Sequence, residues 1–317
     1  MPQFSALLTL PLACLAANNW NPQPIIGILT MPNDSYSRTH GFSQFPASYV
    51  KWLESGGVRV VPIPFDAPLS TTKQLLSQIN GALFTGGGVD FFDANGELTQ
   101  YAQTGQLIFN ESVTAFKNGE TWPLWGTCLG HELISVLGAG PNGNVLTSGF
   151  DSENLTLSVS WTSAAETSVL WGSVPDIRDL YANGRIAMNA HSSGITPKNF
   201  NTYLSSIFTV TSTQFDRKGV EFTASQEGQN GLPIFSTQWH PEKSLFEWPV
   251  PTYEFIAHNF SAVIANHYPS AKFASLAGLN SRHFSSQDNE SAALIYNFSP
   301  LYGLSSMFEQ IYFFPQS

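Results

Sequence analysis

With 317 residues, 42% of them hydrophobic and 13% aromatic, the chain has the length and composition to bury a large core, which excludes extended disorder. A net charge of −10 excludes a general nucleic-acid surface. Charged residues make up only 11%, which is sparse for a cytosolic protein and suits an extracellular or vesicular one.

Residues 4–15 form a short apolar run, and Cys14-Leu15-Ala16 places small residues at the offsets for cleavage after Ala16. This reads as a secretory signal peptide over residues 1–16, too short to span a bilayer. Six N-x-S/T sequons, at Asn33, Asn110, Asn154, Asn259, Asn289 and Asn297, agree with a secretory route to the outside or to a vacuole or lysosome. Asn33 follows the first strand too closely to be assumed a sugar carrier. With Cys14 removed, Cys128 is the one cysteine left, so an internal disulfide is excluded. A lone thiol on an oxidising route is a liability unless it is buried or used.

From residue 24 to 317 the pattern reads as a single α/β domain. Residues 24–29 are a continuous apolar strand. Residues 43–55 carry Phe45, Tyr49, Trp52 and Leu53 at helical spacing, and Gly56-Gly57 stops them. A strand over 58–63, a helix over 69–79, a strand over 82–85, a helix over 99–117 and a strand over 123–125 follow. Uniformly apolar strands alternating with helices predict a mostly parallel sheet covered on both faces. Beyond it, residues 145–159 and 208–226 read as alternating strands, with Asp216-Arg217-Lys218-Gly219 a hairpin turn. Residues 233–239 return to a buried strand. A helix is expected over 253–266 and a loose Ser/Asn/Ala-rich connection over 270–291. The apolar tail 292–314 is expected to pack on the domain or on a second copy of the chain, giving a homodimer. No other segment is apolar for long enough to cross a bilayer.

Gly126-Thr127-Cys128-Leu129-Gly130 lies between a short apolar strand and an apolar segment able to form a helix. That is the pattern of a nucleophile elbow, in which small residues let the chain turn sharply and lift one side chain above the sheet. A thiol there sits at a helix N-terminus, which favours the thiolate, and the Leu129 N–H is free for an oxyanion. An ordinary buried cysteine in a strand-to-helix turn is the plainer reading.

A thiol nucleophile needs a base, and His240 in Gln238-Trp239-His240-Pro241-Glu242 follows an apolar strand as the elbow does. Glu242 is near enough to orient the imidazole. Thr85-Gly86-Gly87-Gly88 follows another strand and can turn backbone N–H groups into the site. A phosphate loop is the rival there, but the spacing and the terminal Lys-Ser/Thr are missing. His191 lies in a polar loop, where spacing does not decide between substrate contact and a turn. His131 is carried away from the thiol by the elbow helix and faces the sheet or a neighbouring loop. No Cys/His cluster supports a metal site, and no cofactor is indicated.

Together the G-x-C-x-G elbow and the later Q-W-H-P-E segment resemble the class I glutamine amidotransferase-like fold, with flavodoxin-like layers. Within it, the chain resembles the gamma-glutamyl hydrolase family. The matching stretches are 24–29, 47–56, 79–84, 125–130, 238–243 and 293–300. The resemblance implies hydrolysis of γ-glutamyl bonds in folate poly-γ-glutamates, with Cys128 as nucleophile, His240 as acid/base and Glu242 orienting it. It also implies an oxyanion hole from Leu129 and the Gly86-Gly87 backbone, with Glu132 and His191 near the substrate. Two residues depart from the family pattern: Thr85 stands for a common Pro, and His131 for an aromatic residue.

An acidic chain facing a polyanionic small-molecule substrate must rely on local cations such as Lys243, Arg38 or Arg185. A glutaminase subunit of an amidotransferase and a secreted binding protein with a dead site are the alternatives.

Overall fold

The strand Ile25–Leu29 is buried along its whole length in the computed structural model, which describes residues 20–33, 39–140, 143–249 and 255–317. The expected signal peptide and Arg38 lie outside the described residues. Neighbouring side chains of this strand go to opposite faces, as β geometry requires. Ile25 and Leu29 join one apolar cluster, and Ile26 and Ile28 join the other.

The central sheet has eight strands in the order Arg59–Ile63, Ile25–Leu29, Ala82–Phe84, Leu124–Thr127, Ile234–Thr237, Glu221–Gly228, Phe208–Phe215, Ser160–Trp161. The first five are parallel and the last three are joined by antiparallel pairing. One face is covered by the helices Leu69–Leu76, Gln100–Lys117 and Leu129–Ala139, and the other by Ala47–Ser55 and Phe260–Ala277. The expected mostly parallel sheet between helices is therefore present. Trp52, Trp125 and Phe273 interlock on the second face, with Trp52 and Trp125 centroids 5.2 Å apart. Each fully buried side chain of this size contributes roughly 2–3 kcal/mol of transfer free energy.

The chain order crosses over beside Ile25–Leu29, so loops leaving the carboxyl ends of the parallel strands diverge there and leave a crevice. Thr85-Gly86-Gly87, Cys128 and His240 all follow such ends. The Asp216–Gly219 turn joins Phe208–Phe215 to Glu221–Gly228 as expected, and the Asp216 carboxylate accepts the N–H groups of Lys218 and Val220 at 2.8 Å each.

Three expectations are corrected. Ser43–Pro46 is a strand, and the helix begins only at Ala47. The strand exists because Gln310–Phe314 pairs antiparallel with it. The later helix runs Phe260–Ala277, well into the stretch expected to be loose, with Asn259 capping it through the Ala262 N–H at 2.9 Å. Residues 253 and 254 of the expected helix lie outside the described residues. Pro269 sits inside this helix. It cannot donate to the Ala265 carbonyl, and the Tyr181 hydroxyl shares its proton between that carbonyl at 3.2 Å and Asn266 Oδ1 at 2.8 Å. A further helix, Gln287–Ala293, takes the end of that stretch, and residues 278–286 between the two helices are irregular as expected.

The tail packs on this same chain. Leu301–Tyr302, Gln310–Phe314, Ser43–Pro46 and Met31–Pro32 form a second, antiparallel sheet at the mouth of the crevice. Among the described residues no helix is long and apolar enough to cross a membrane.

Candidate active site

The elbow forms where the sequence places it. Leu124–Thr127 is fully buried, Cys128 turns the chain, and the helix starts at Leu129. Cys128 has φ 52°, in the left-handed region that residues with a Cβ disfavour, which costs on the order of 1–3 kcal/mol. The surroundings hold it: the Cys128 N–H donates to Thr237 at 2.8 Å, and its carbonyl accepts the Glu132 N–H at 3.0 Å. Gly126 and Gly130 are required by space. A Cβ on Gly126 would sit 2.5 Å from the Gly130 carbonyl oxygen, and one on Gly130 would overlap the Phe84 backbone.

Cys128 and His240 both lie against Gly86. A carbon placed at the Cβ position of Gly86 would lie 2.5 Å from His240 Cε1 and 3.3 Å from Cys128 Cβ. The two side chains thus border the same point, and only glycine at 86 leaves it open. His240 Nδ1 is 2.7 Å from Glu242 Oε1. The carboxylate accepts the Nδ1 proton, so Nε2 is left as the proton acceptor.

Burial sets the state of the thiol. Desolvation pushes the Cys128 pKa well up, and the charges of Glu132 and Glu242 push the same way. The Leu129 N–H and the Lys243 ammonium oppose them without winning. The pull of the helix N-terminus expected from the sequence is thus opposed by burial and by two carboxylates, all of which favour the protonated thiol. It donates weakly to the Ala190 carbonyl, Sγ to O 3.7 Å.

Tyr49 reads in the sequence as part of an apolar helix face, yet its hydroxyl belongs to this site. It accepts the Gly86 N–H at 2.8 Å and lies 3.3 Å from His240 Nδ1. The Gly86 amide is therefore engaged. The Gly87 N–H has no hydrogen bond among the described residues, and the Leu129 N–H is directed at the Cys128 sulfur. Gln238, inside the Q-W-H-P-E segment, donates from Nε2 to Glu132 Oε1 at 3.2 Å and approaches Cys128 Sγ at 3.8 Å. Its place in the motif was the only sign of this role.

Glu132 is buried near Cys128 on the first turn of the elbow helix, and desolvation lifts its pKa to about 7. His191 lies next to Ala190, packed on Phe150 and Phe222, with Nδ1 2.7 Å from the Ser193 carbonyl. Burial lowers its pKa to about 4, so it is neutral. Its Nε2 is buried without a partner among the described residues. His131 faces the sheet as expected, with Nδ1 2.8 Å from Ser236 Oγ. Of the three cations considered for an anionic substrate, Lys243 lines the crevice. Arg185 is turned to the Thr156 carbonyl at 3.0 Å and is not among the lining residues.

The crevice measures about 500 Å³. Its floor carries Gly87, Cys128, Ala190 and His240, and its wall is built from Met307, Phe308, Ile311 and Phe313 of the tail. Among the described residues no cluster of His, Cys, Asp or Glu is placed to hold a metal.

A thiol on an elbow, an imidazole, a carboxylate behind the imidazole and two backbone donors are the parts that acyl transfer through a sulfur nucleophile requires. The comparisons with known proteins agree with that class. The Peptidase C26 family model matches residues 24–242, and the chain belongs to this family. It is 36% identical to a gamma-glutamyl hydrolase of Mus musculus over 94% of this chain and 91% of that protein. It is 37% identical to gamma-glutamyl hydrolase B of Dictyostelium discoideum over 95% and 85%. It is 31% identical to gamma-glutamyl hydrolase 1 of Arabidopsis thaliana over 94% and 84%.

Proposed function

We propose that this protein hydrolyses γ-glutamyl bonds in folate poly-γ-glutamates, with Cys128 as nucleophile, His240 as acid/base and Glu242 holding His240. The observation that carries the mechanism is that Cys128 and a carboxylate-held His240 both lie against Gly86.

Because burial and the neighbouring carboxylates favour the protonated thiol, attack and proton transfer belong together. The Cys128 proton passes to His240 Nε2 while sulfur adds to the γ-carbonyl carbon. The carbonyl oxygen becomes the oxyanion and accepts from the Leu129 and Gly87 amides. Collapse breaks the carbon–nitrogen bond, and His240 gives its proton to the departing amine. Water then gives a proton to His240 and opens the thioester, releasing the glutamate carboxylate and restoring the thiol. Glu132 faces the glutamate that supplies the γ-carbonyl and accepts its α-nitrogen N–H, which in a folate poly-γ-glutamate is an uncharged amide. His191 offers Nε2 to the same substrate from beside Ala190.

A γ-glutamyl amide and the side-chain amide of glutamine differ only in the leaving amine, so a glutaminase is the competing chemistry. Sequons and the signal-peptide pattern favour a secreted or vacuolar hydrolase. The exposed Leu301, Tyr302 and Leu304 on the tail support a homodimer.

The test is hydrolysis of a pteroyl-poly-γ-glutamate by the mature chain, resolved by product length, with Cys128→Ala as control. Activity that vanishes in the variant is expected. Release of ammonia from free glutamine, with the folate untouched, would favour the glutaminase. No turnover of either substrate at acidic or neutral pH would leave a binding protein.

A further inference from the structure

The crevice is walled by the segment 304–313, which lies beyond the residues that the family model matches. This wall is fixed at two adjacent points. The Glu309 N–H donates to the buried Glu247 carboxylate at 2.6 Å, and Gln310 Oε1 accepts from Lys51 Nζ at 2.6 Å. Between Met307 and this anchor stands Phe308, and the ammonium of Lys243 lies over its ring, 4.9 Å from the centroid.

Lys243 is the only lysine or arginine among the described residues that line the crevice. The residue is buried, and its charge is felt both by the thiol of Cys128 and by Glu247. It follows His240 by three residues, at the start of the short helix Lys243–Phe246. His240 returns its proton to the departing amine, so the departing residue sits on the His240 side. In an α-amino acid the carboxylate stands one carbon from that nitrogen. A carboxylate brought into this crevice must be paired, since an unpaired buried charge is costly. The chain as a whole repels it, with a net charge of −10.

We propose that Lys243, seated on Phe308 of the tail, is a specificity residue that binds the α-carboxylate of the residue leaving from the scissile bond. The inference rests on the hydrolase reading above and adds the group that recognises the leaving side. It makes the tail part of the substrate site: Phe308 supports the cation, and the Glu247 and Lys51 bonds fix Phe308.

The experiment compares three substrates: pteroyl-di-γ-glutamate, its analogue with an α-carboxamide on the terminal, leaving glutamate, and its analogue with the α-carboxamide on the glutamate that keeps the scissile carbonyl. Wild type is expected to prefer the parent over the first analogue by about 30-fold or more in kcat/KM, as for a buried charge pair. In Lys243→Met that preference should collapse towards one, through a raised KM for the parent. Any preference against the second analogue should be unchanged. Phe308→Leu, which keeps the cation and removes its seat, should show a smaller loss in the same direction and serves if Lys243→Met does not fold. Equal losses on the parent and the first analogue, a wild type indifferent to the leaving carboxylate, or a Lys243→Met effect confined to the second analogue would each overturn the assignment. In all three cases the hydrolase reading would stand. A wild type inactive on all three substrates would sink both.

Discussion

Gly86→Ala should disable the site while leaving the triad residues in place. The added carbon would stand 2.5 Å from His240 Cε1, 2.8 Å from Tyr49 Oη and 3.3 Å from Cys128 Cβ. Carbon–carbon contacts are favourable only at about 3.5–4.0 Å, so the imidazole must retreat by roughly 1 Å. His240 cannot retreat freely, because Glu242 holds Nδ1 at 2.7 Å and Tyr49 is itself pinned by the Gly86 N–H. A displacement of that size in a reacting pair lowers kcat by about 100-fold. The accompanying overpacking should cost roughly 1–3 kcal/mol of stability. The assay is steady-state hydrolysis of a γ-glutamyl substrate alongside denaturant unfolding. A folded Gly86→Ala protein that keeps kcat within about threefold of wild type would refute the idea that the gap at Gly86 is where His240 meets the thiol.

Glu242→Gln should lower kcat by two to four orders of magnitude with a small change in KM, because the amide no longer fixes the tautomer that leaves Nε2 free; an unchanged kcat would remove Glu242 from the mechanism. Iodoacetamide should alkylate Cys128 more slowly than free cysteine at pH 7, and Glu132→Gln should speed it, since one of the charges raising the thiol pKa is gone; a fast-reacting wild type would contradict a protonated resting thiol. Glu247 has its folded pKa raised to about 7 by desolvation, from 4.5, so its stabilising effect is complete below about 4.5 and is lost as pH rises through 7. Glu247→Gln should therefore gain stability relative to wild type as pH rises across that window, by about 3 kcal/mol at the upper limit, and a pH-independent difference measured by urea unfolding would refute it. On passage through a secretory host, Asn110, exposed on its helix, should carry glycan, whereas Asn33, buried with Nδ2 donating to the Gly41 carbonyl at 2.8 Å, should not; peptide mass spectrometry reads both.

The chemical centre was legible because its signals are local. An elbow needs small residues within two positions of the nucleophile, and Gly126 and Gly130 are both needed for that reason. His240 and Glu242 are two residues apart, so their pairing follows from the chain itself. What sequence could not reveal depends on distant partners. Ser43–Pro46 carries apolar spacing compatible with a helix and becomes a strand only against Gln310–Phe314. Pro269 is a strong helix breaker by composition, and the Tyr181 hydroxyl that reaches the freed Ala265 carbonyl is brought from another helix. The state of the thiol is hidden for a similar reason. The helix N-terminus is visible in the motif, while the burial and the neighbouring carboxylates that oppose it are tertiary.

The pairing of Ser43–Pro46 with Gln310–Phe314 also sets an order of events during synthesis. Lys51 and Gln310, bonded side chain to side chain, are 259 residues apart. The ribosome therefore delivers the elbow, the imidazole and most of the parallel sheet well before the strand that encloses them. Contacts of such long range form late, since the loop between them must be closed first. A nascent chain can thus hold Cys128 and His240 in register while the crevice still lacks one wall. The crevice wall is the last part of the site to be made, and a ribosome stalled before Phe308 would display Cys128 and His240 without it.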